Sequence, residues 1–166
     1  MIAVWRGQDD VLALLLKKGA NPNARDKEGH TPLTRASMQG FDKIAGQLIA
    51  AGASVNKPGS GGKTALMWAS EYGKDNVVSL LLREGAKINA VDAKKKSALF
   101  YAIAGGSDAA VALLLDAGAK PMNKLVDGRG EMMIAAAALS ADTASRLLQA
   151  GADTALTDKS GHDALW

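Results

Sequence analysis

The chain has 166 residues, of which 48% are hydrophobic, 4% are aromatic and 22% are charged, and its net charge is +3. This composition is typical of a globular domain and argues against disorder. Because the apolar residues are mostly Leu, Ala, Val and Ile, a core of packed helices is favoured over a β-sandwich. The absence of cysteine excludes disulfides, thiolate chemistry and cysteine-based metal sites.

The amino terminus and the apolar runs give little information on location. Residues 1–10 lack the charged segment and apolar core of a signal peptide. No apolar run approaches the roughly 18 residues of a membrane span, so we expect no membrane association. A cysteine-free, alanine-rich chain favours a bacterial source, and bacterial cytoplasm and periplasm both stay open.

In chain order, the first regular feature is a Gly-Ala pair that recurs with one spacing. It occurs at Gly19-Ala20, Gly52-Ala53, Gly85-Ala86, Gly118-Ala119 and Gly151-Ala152, each 33 residues after the one before. Columns of Ala and Leu keep the same register, so the chain is an internal repeat. We predict a single domain, 1–166, made of units 1–25 (partial), 26–58, 59–91, 92–124, 125–157 and 158–166 (partial).

Each unit contains the signals for two helices. Thr31, Thr64 and Ser97 are predicted to cap a first helix, with Pro32 in its first turn. Glycines near positions 40, 73 and 106 end that helix in a left-handed conformation. A column of aspartates is then predicted to cap the second helix: Asp9, Asp42, Asp75 and Asp108. The glycine of each Gly-Ala pair ends the second helix.

The stretches 26–56 and 62–90 resemble ankyrin repeats, because they combine Gly-x-Thr-Pro-Leu or Gly-Lys-Thr-Ala-Leu with an alanine, a glycine, a Leu-Leu or Leu-Ile pair and Gly-Ala. The resemblance covers essentially the whole chain. It implies an all-α ankyrin-repeat solenoid of stacked helix-turn-helix units with projecting β-turn loops. It also implies protein binding through the turns and the concave face of the first helices.

Several positions depart from the ankyrin pattern. The histidine that usually follows Thr-Pro-Leu is replaced by Thr34, Met67, Phe100 and Met133. The fifth unit has Gly130 and Glu131 in place of Thr-Pro and Leu139 at a glycine column, so we expect it to be the least regular. Lys95 occupies a turn position that is glycine in the other units, which predicts a positive φ or a reshaped turn. Phe100 is expected to pack inside.

No pattern in the chain predicts catalysis, a metal or a cofactor. The stretch 59–64 resembles a phosphate-binding loop but lacks the first glycine and a preceding strand, and a glycine-rich turn explains it. His30 and His162 fall in one repeat column four units apart, too distant to share a metal, and are interpreted as turn-tip residues. We therefore expect a protein that is not an enzyme.

The turn tips carry more basic than acidic residues. They hold Lys27, Glu28, Lys63, Lys94, Lys95, Lys96, Asp127, Arg129 and Lys159. Such a basic ridge favours a protein partner with an acidic surface, although lysines at tips can also serve only solubility. Nucleic acid is not expected as a partner, because the tips mix in acids and no nucleic-acid motif occurs.

The chain's few aromatic residues concentrate on the predicted concave face. That face is expected to present Trp5, Arg35, Met38, Trp68, Tyr72 and Tyr101. Trp, Tyr and Arg are the residues that dominate binding hot spots, so these side chains, with Lys63, Lys94 and Lys96, are the predicted partner-binding residues. Replacing Trp68 or Tyr101 by Ala should weaken binding and barely change stability. The alternative is that the rings pack as structural cover.

The resemblance and the side chains together predict a non-catalytic, monomeric module that binds a folded protein. Its action on that partner is expected to be masking or inhibition, with an enzyme as one example of the partner. Two alternatives stay open: a structural spacer or effector segment of a larger protein, and an enzyme built on an ankyrin scaffold.

Overall fold

The computed structural model describes residues 1–121, 131–138, 140–155 and 160–162. Two series of helices alternate in this part of the chain. The first helices are α1 (Ile2–Trp5), α3 (Pro32–Gln39), α5 (Ala65–Glu71), α7 (Ala98–Ala104) and α9 (Glu131–Ala138). The second helices are α2 (Asp9–Lys17), α4 (Asp42–Ala50), α6 (Asp75–Arg83), α8 (Asp108–Asp116) and α10 (Ala141–Gln149). From α3 onward, equivalent helices begin 33 residues apart, as the Gly-Ala period predicts.

Each helix packs against its own partner and against the equivalent helix of the next unit. In the first layer α3 contacts α5 and α5 contacts α7, while in the second layer α4 contacts α6 and α6 contacts α8. Small and branched side chains at equivalent repeat positions fill the space between the layers. Examples are Ala36, Ala69 and Ala102, which are all fully buried. Leu15 is exposed, although Leu48, its equivalent in the next unit, is buried. The result is an all-α solenoid.

The predicted helix signals of the first series are confirmed. The hydroxyls of Thr31 and Thr64 accept hydrogen bonds from the backbone N–H groups of residues 34 and 67, and Ser97 does the same for Phe100. The unit-closing glycines are left-handed, as at Gly52, where φ is 90°. Lys95 is the one non-glycine residue with a positive φ in the described part of the chain, at 61°.

The predicted capping role of the aspartates is wrong. The second helices begin at these aspartates, and the N-cap is the preceding residue, as with Ser107, whose hydroxyl accepts from the N–H of Ala110. Three of the four carboxylates, those of Asp9, Asp75 and Asp108, instead contact the next unit. Asp108, for example, accepts a hydrogen bond of 3.0 Å from the hydroxyl of Ser140. The aspartate column therefore joins neighbouring units rather than closing a helix end.

A second column also joins units along the other edge of the solenoid. The side-chain amide of Asn56 donates to the carbonyl of Gly85 at 3.1 Å and accepts from the N–H of Lys87 at 2.7 Å. Asn23 makes the same pair of bonds to Gly52 and Ser54. Each of these asparagines fixes the turn that ends the following unit. The prediction of an irregular fifth unit is based on Gly130, Glu131 and Leu139; Gly130 and Leu139 lie outside the described residues, while Glu131 begins α9.

Candidate partner-binding face

The turns that enter the first helices form the edge of the candidate binding face. We call them finger two (26–30), finger three (59–63) and finger four (92–96). Each is closed by a backbone hydrogen bond from its first N–H to its last carbonyl, of 2.9, 2.7 and 3.0 Å in that order. The fingers are thus β-turn loops, and Val91 and Ser97 form an isolated antiparallel bridge at the base of finger four.

Finger two is fixed by Asp26. Its Oδ1 accepts from the N–H groups of Glu28 and His30, and its Oδ2 accepts from Nε of Arg35 at 2.8 Å. Burial raises the pKa of Asp26, but the Arg35 guanidinium and the two backbone donors outweigh this effect and the pKa lies below its usual value. Arg35 also pairs with Glu28. Arg35 is therefore half-buried and already engaged by two carboxylates.

Finger four repeats this arrangement with a tyrosine in place of the arginine. Oδ1 of Asp92 accepts from the N–H groups of Lys94 and Lys96, and Oδ2 accepts from the hydroxyl of Tyr101 at 2.6 Å. Burial raises the pKa of Tyr101 well above its ordinary value, and the hydrogen bond to Asp92 raises it further.

The expectation that Tyr101 is exposed on the concave face is therefore wrong, because only 6% of the residue is accessible. Its hydroxyl turns toward the buried carboxylate of Asp92 and its ring lies against Phe100 and Lys63. Phe100 is buried as predicted. The expectation that Tyr101→Ala leaves stability unchanged loses its basis for the same reason.

Finger three begins with Gly59, which cannot supply the carboxylate that the other two fingers have. Trp68 stands where Arg35 and Tyr101 stand in their units, and its Nε1 is buried without a hydrogen-bond partner. The Trp68 ring is half-buried instead by other rings: Tyr72 stacks on it at a centroid distance of 6.1 Å and His30 meets it edge-on at 5.4 Å.

The interpretation of His30 as a turn-tip residue is also wrong. The side chain is buried at the base of finger two, under Trp68 of the next unit, and its Nδ1 has no hydrogen-bond partner. Burial lowers the pKa of His30, and the positive charge of Arg35 lowers it further against the opposing effect of Asp26 and Glu28. The lowered pKa favours the neutral form of His30.

Lys63 is not the exposed tip residue that the sequence predicts. Its side chain is 15% exposed and its ammonium pairs with Glu71 at 2.6 Å. The same nitrogen lies 4.1 Å from the centroid of the Trp68 ring and 3.8 Å from that of Tyr101, which are cation–π distances. Lys63 thus links two aromatic rings of neighbouring units.

These contacts continue as one row along the concave face. The aromatic–lysine row consists of Tyr72, Trp68, Lys63, Tyr101, Phe100 and Lys96, and Lys96 lies 4.2 Å above the Phe100 ring. The middle of the row is covered, while Tyr72 is 52% exposed. The structure therefore brings together five of the nine predicted partner-binding residues, of which Tyr72 is exposed.

The remaining predicted residues lie on the same side of the solenoid. Trp5 is 62% exposed and, with Ile2 and Arg35, lines a concavity of about 340 Å³ near the first unit. Met38 is half-buried. Lys94 is exposed at the tip of finger four. Asp127, Arg129 and Lys159, which were expected on the basic ridge, lie outside the described residues.

Sequence reasoning missed the residues that hold the fingers, Asp26 and Asp92. The signal was present, because the two aspartates stand in one repeat column and each has a polar side chain nine positions later. Within the described residues there is no cluster of histidine, aspartate and glutamate suited to hold a metal ion. No helix of that part is long and apolar enough to cross a membrane.

Comparison with known families agrees with this architecture. A family model described as ankyrin repeats (3 copies) matches residues 1–92 and 45–128. No curated protein is significantly similar to the chain. Ankyrin repeats are generally protein–protein interaction modules. The match spans most of the sequence, so the chain belongs to the ankyrin-repeat family.

Proposed function

We propose that this protein is a non-catalytic module that binds a folded protein through the concave side of its first helices. The observation that carries the proposal is the exposure of Trp5 and Tyr72 on that side, in a chain where aromatic residues are scarce. Large aromatic side chains contribute strongly to protein interfaces because they bury much apolar area with few rotatable bonds. Both rings rest on a fixed backbone, which limits the entropy lost on binding.

The partner is proposed to have an acidic surface facing fingers three and four. Lys94 and Lys95 are exposed there, and rim charges of this kind accelerate encounter with an oppositely charged protein. Binding would mask the surface that it covers, so an enzyme bound at its active site would be inhibited. The protein itself is expected to be monomeric. The bacterial source and its compartment stay predictions.

Site-specific photocrosslinking tests this proposal. A photoreactive phenylalanine analogue placed at Tyr72 should cross-link to a protein of the native organism, whereas the same group at Arg83, exposed on a second helix, should not. In the purified complex, Trp5→Ala and Tyr72→Ala should each weaken binding by more than about 1 kcal/mol. A structural spacer makes no use of these rings, so equal cross-linking at both positions, or none, would contradict the proposal.

A further inference from the structure

Fingers three and four enclose a cleft that the family resemblance does not account for. The cleft has a volume of about 390 Å³, and Trp68 and Tyr101 line its inner side. Its two walls are joined by a hydrogen bond of 3.2 Å from the N–H of Ala93 to the carbonyl of Gly61. A side chain at Gly62 would place its Cβ 3.0 Å from that N–H, so the close approach of the walls requires glycine there. The cleft is therefore preformed.

The acidic groups of the cleft are already engaged within the protein. Glu71 pairs with Lys63 at 2.6 Å, and Asp92 accepts three hydrogen bonds, two from its own finger and one from Tyr101. In the described part of the chain, the ammonium groups of Lys94 and Lys96 have no such ion pair. Three lysines thus face two carboxylates, and the two lysines at the mouth are available for an external anion.

The arrangement favours a carboxylate over a phosphate. Phosphate sites in proteins commonly combine lysines with backbone N–H groups or arginine forks, and here the N–H groups of Lys94 and Lys96 are both occupied by Oδ1 of Asp92. A phosphate dianion would also be repelled more strongly by Asp92 and Glu71 than a carboxylate with one charge. Two flexible ammonium groups over an aromatic wall suit a carboxylate on a short apolar stem.

We propose that the cleft between fingers three and four receives a glutamate or aspartate side chain of a protein partner. Lys94 and Lys96 pair with its carboxylate, and its methylene groups pack against Trp68. Lys63 is not available to the partner's carboxylate, because its charge is neutralised by Glu71. Its role is instead to position the rings of Trp68 and Tyr101. This inference rests on the proposed function and specifies which feature of the partner the basic end of the face recognises.

The test is an NMR titration of the full chain with a short glutamate-rich peptide. The backbone amides of residues 94–96 and the indole N–H of Trp68 should shift, and a peptide with glutamine at every glutamate should leave them unchanged. The double variant Lys94→Gln/Lys96→Gln should weaken peptide binding about three- to tenfold, as expected for two partly exposed ion pairs. Lys87→Gln, which removes an exposed charge elsewhere, should leave the affinity unchanged.

Three outcomes would overturn the inference: equal binding of the glutamine peptide, equal weakening by Lys87→Gln, or shifts produced by inorganic phosphate and not by the acidic peptide. The experiment also separates this inference from the proposed function. A natural partner that binds the double variant as tightly as the original protein would refute the cleft assignment and leave the protein-binding function in place. Cross-linking that finds no partner would refute the function while the titration still decides what the cleft binds.

Discussion

Replacing Tyr101 by Phe removes one hydroxyl and little else, so it measures the bond that holds finger four. The hydroxyl donates to the buried Asp92 carboxylate at 2.6 Å, and a hydrogen bond to a charged group contributes about 1.5 to 3 kcal/mol. Asp92 keeps two backbone donors, so the carboxylate is not left unpaired. We therefore expect the free energy of unfolding to fall by about 1.5 to 2 kcal/mol, at the lower end of this range. For a chain of this size that lowers the thermal midpoint by roughly 3 to 8 °C.

Tyr72→Phe is the matched control, since the Tyr72 residue is 52% exposed and its hydroxyl makes no hydrogen bond in the described part of the chain. Urea unfolding should show a change within about 0.5 kcal/mol for this variant. The raised pKa of Tyr101 adds a second signature. The unfolded state ionises near pH 10 and the folded state only above that, so the original protein loses stability above about pH 10, and Tyr101→Phe should lose less. Equal unfolding free energies for the two variants would refute the assignment of Tyr101 as a structural residue.

Three further changes test other parts of the structure by urea unfolding. Lys95→Gly should stabilise the protein by about 0.5 kcal/mol. The left-handed backbone of Lys95 is strained by about 1 to 2 kcal/mol, and relief of this strain exceeds the extra backbone entropy that glycine loses on folding. A loss of stability would show that the turn is unstrained. Asn56→Ala should cost about 1 to 2 kcal/mol for its two inter-unit bonds, and more than Asn89→Ala, which removes one. The lowered pKa of His30 means that the unfolded chain binds more protons than the folded protein, so the free energy of unfolding should fall as the pH drops through about 6.5. His30→Phe, which keeps a ring against the next unit, should reduce this pH dependence. An unchanged pH dependence would contradict the burial of a neutral histidine.

Local chemistry explains why most of the fold could be predicted from the sequence. Caps such as Thr31 act within one turn of their own helix, and a left-handed glycine such as Gly52 depends only on its own backbone. The fixed period then repeats these local signals, so the element order follows without knowledge of tertiary contacts. The strain at Lys95 could also be predicted, because the other units have glycine at this turn position, which indicates a positive φ.

The exposure of the concave side chains could not be predicted in the same way. Helical spacing places Tyr101 and Trp68 on the outer side of their helices, but it does not show that a finger folds over that side. His30 was misplaced for a related reason, since the ring that covers it belongs to the next unit. Burial at these positions depends on which residues of neighbouring units lie against each other. The residues at one repeat position do not show which residues of the next unit cover them.

The first residue of each finger decides whether the protein itself holds the concave side chain nine positions later. Asp26 binds Arg35 and Asp92 binds Tyr101, in both cases through Oδ2, while Oδ1 closes the finger. In these two units a hydrogen bond to the carboxylate fixes the side chain in one orientation. The cost of moving it toward a partner therefore includes the loss of one hydrogen bond to a charged group, about 1.5 to 3 kcal/mol.

Gly59 removes this constraint from the middle of the face. A Cβ at Gly59 would lie 3.2 Å from the Thr34 side chain, so an aspartate at this position would require Thr34 or finger three to shift. Trp68 is consequently held by ring contacts with Tyr72 and His30 and by Lys63, and each contact of these kinds contributes only about 0.5 to 2 kcal/mol. Because such contacts tolerate small rotations that a short charge-assisted hydrogen bond does not, Trp68 is held less firmly than Arg35 and Tyr101. Trp68 also lines the cleft that we assign to partner binding.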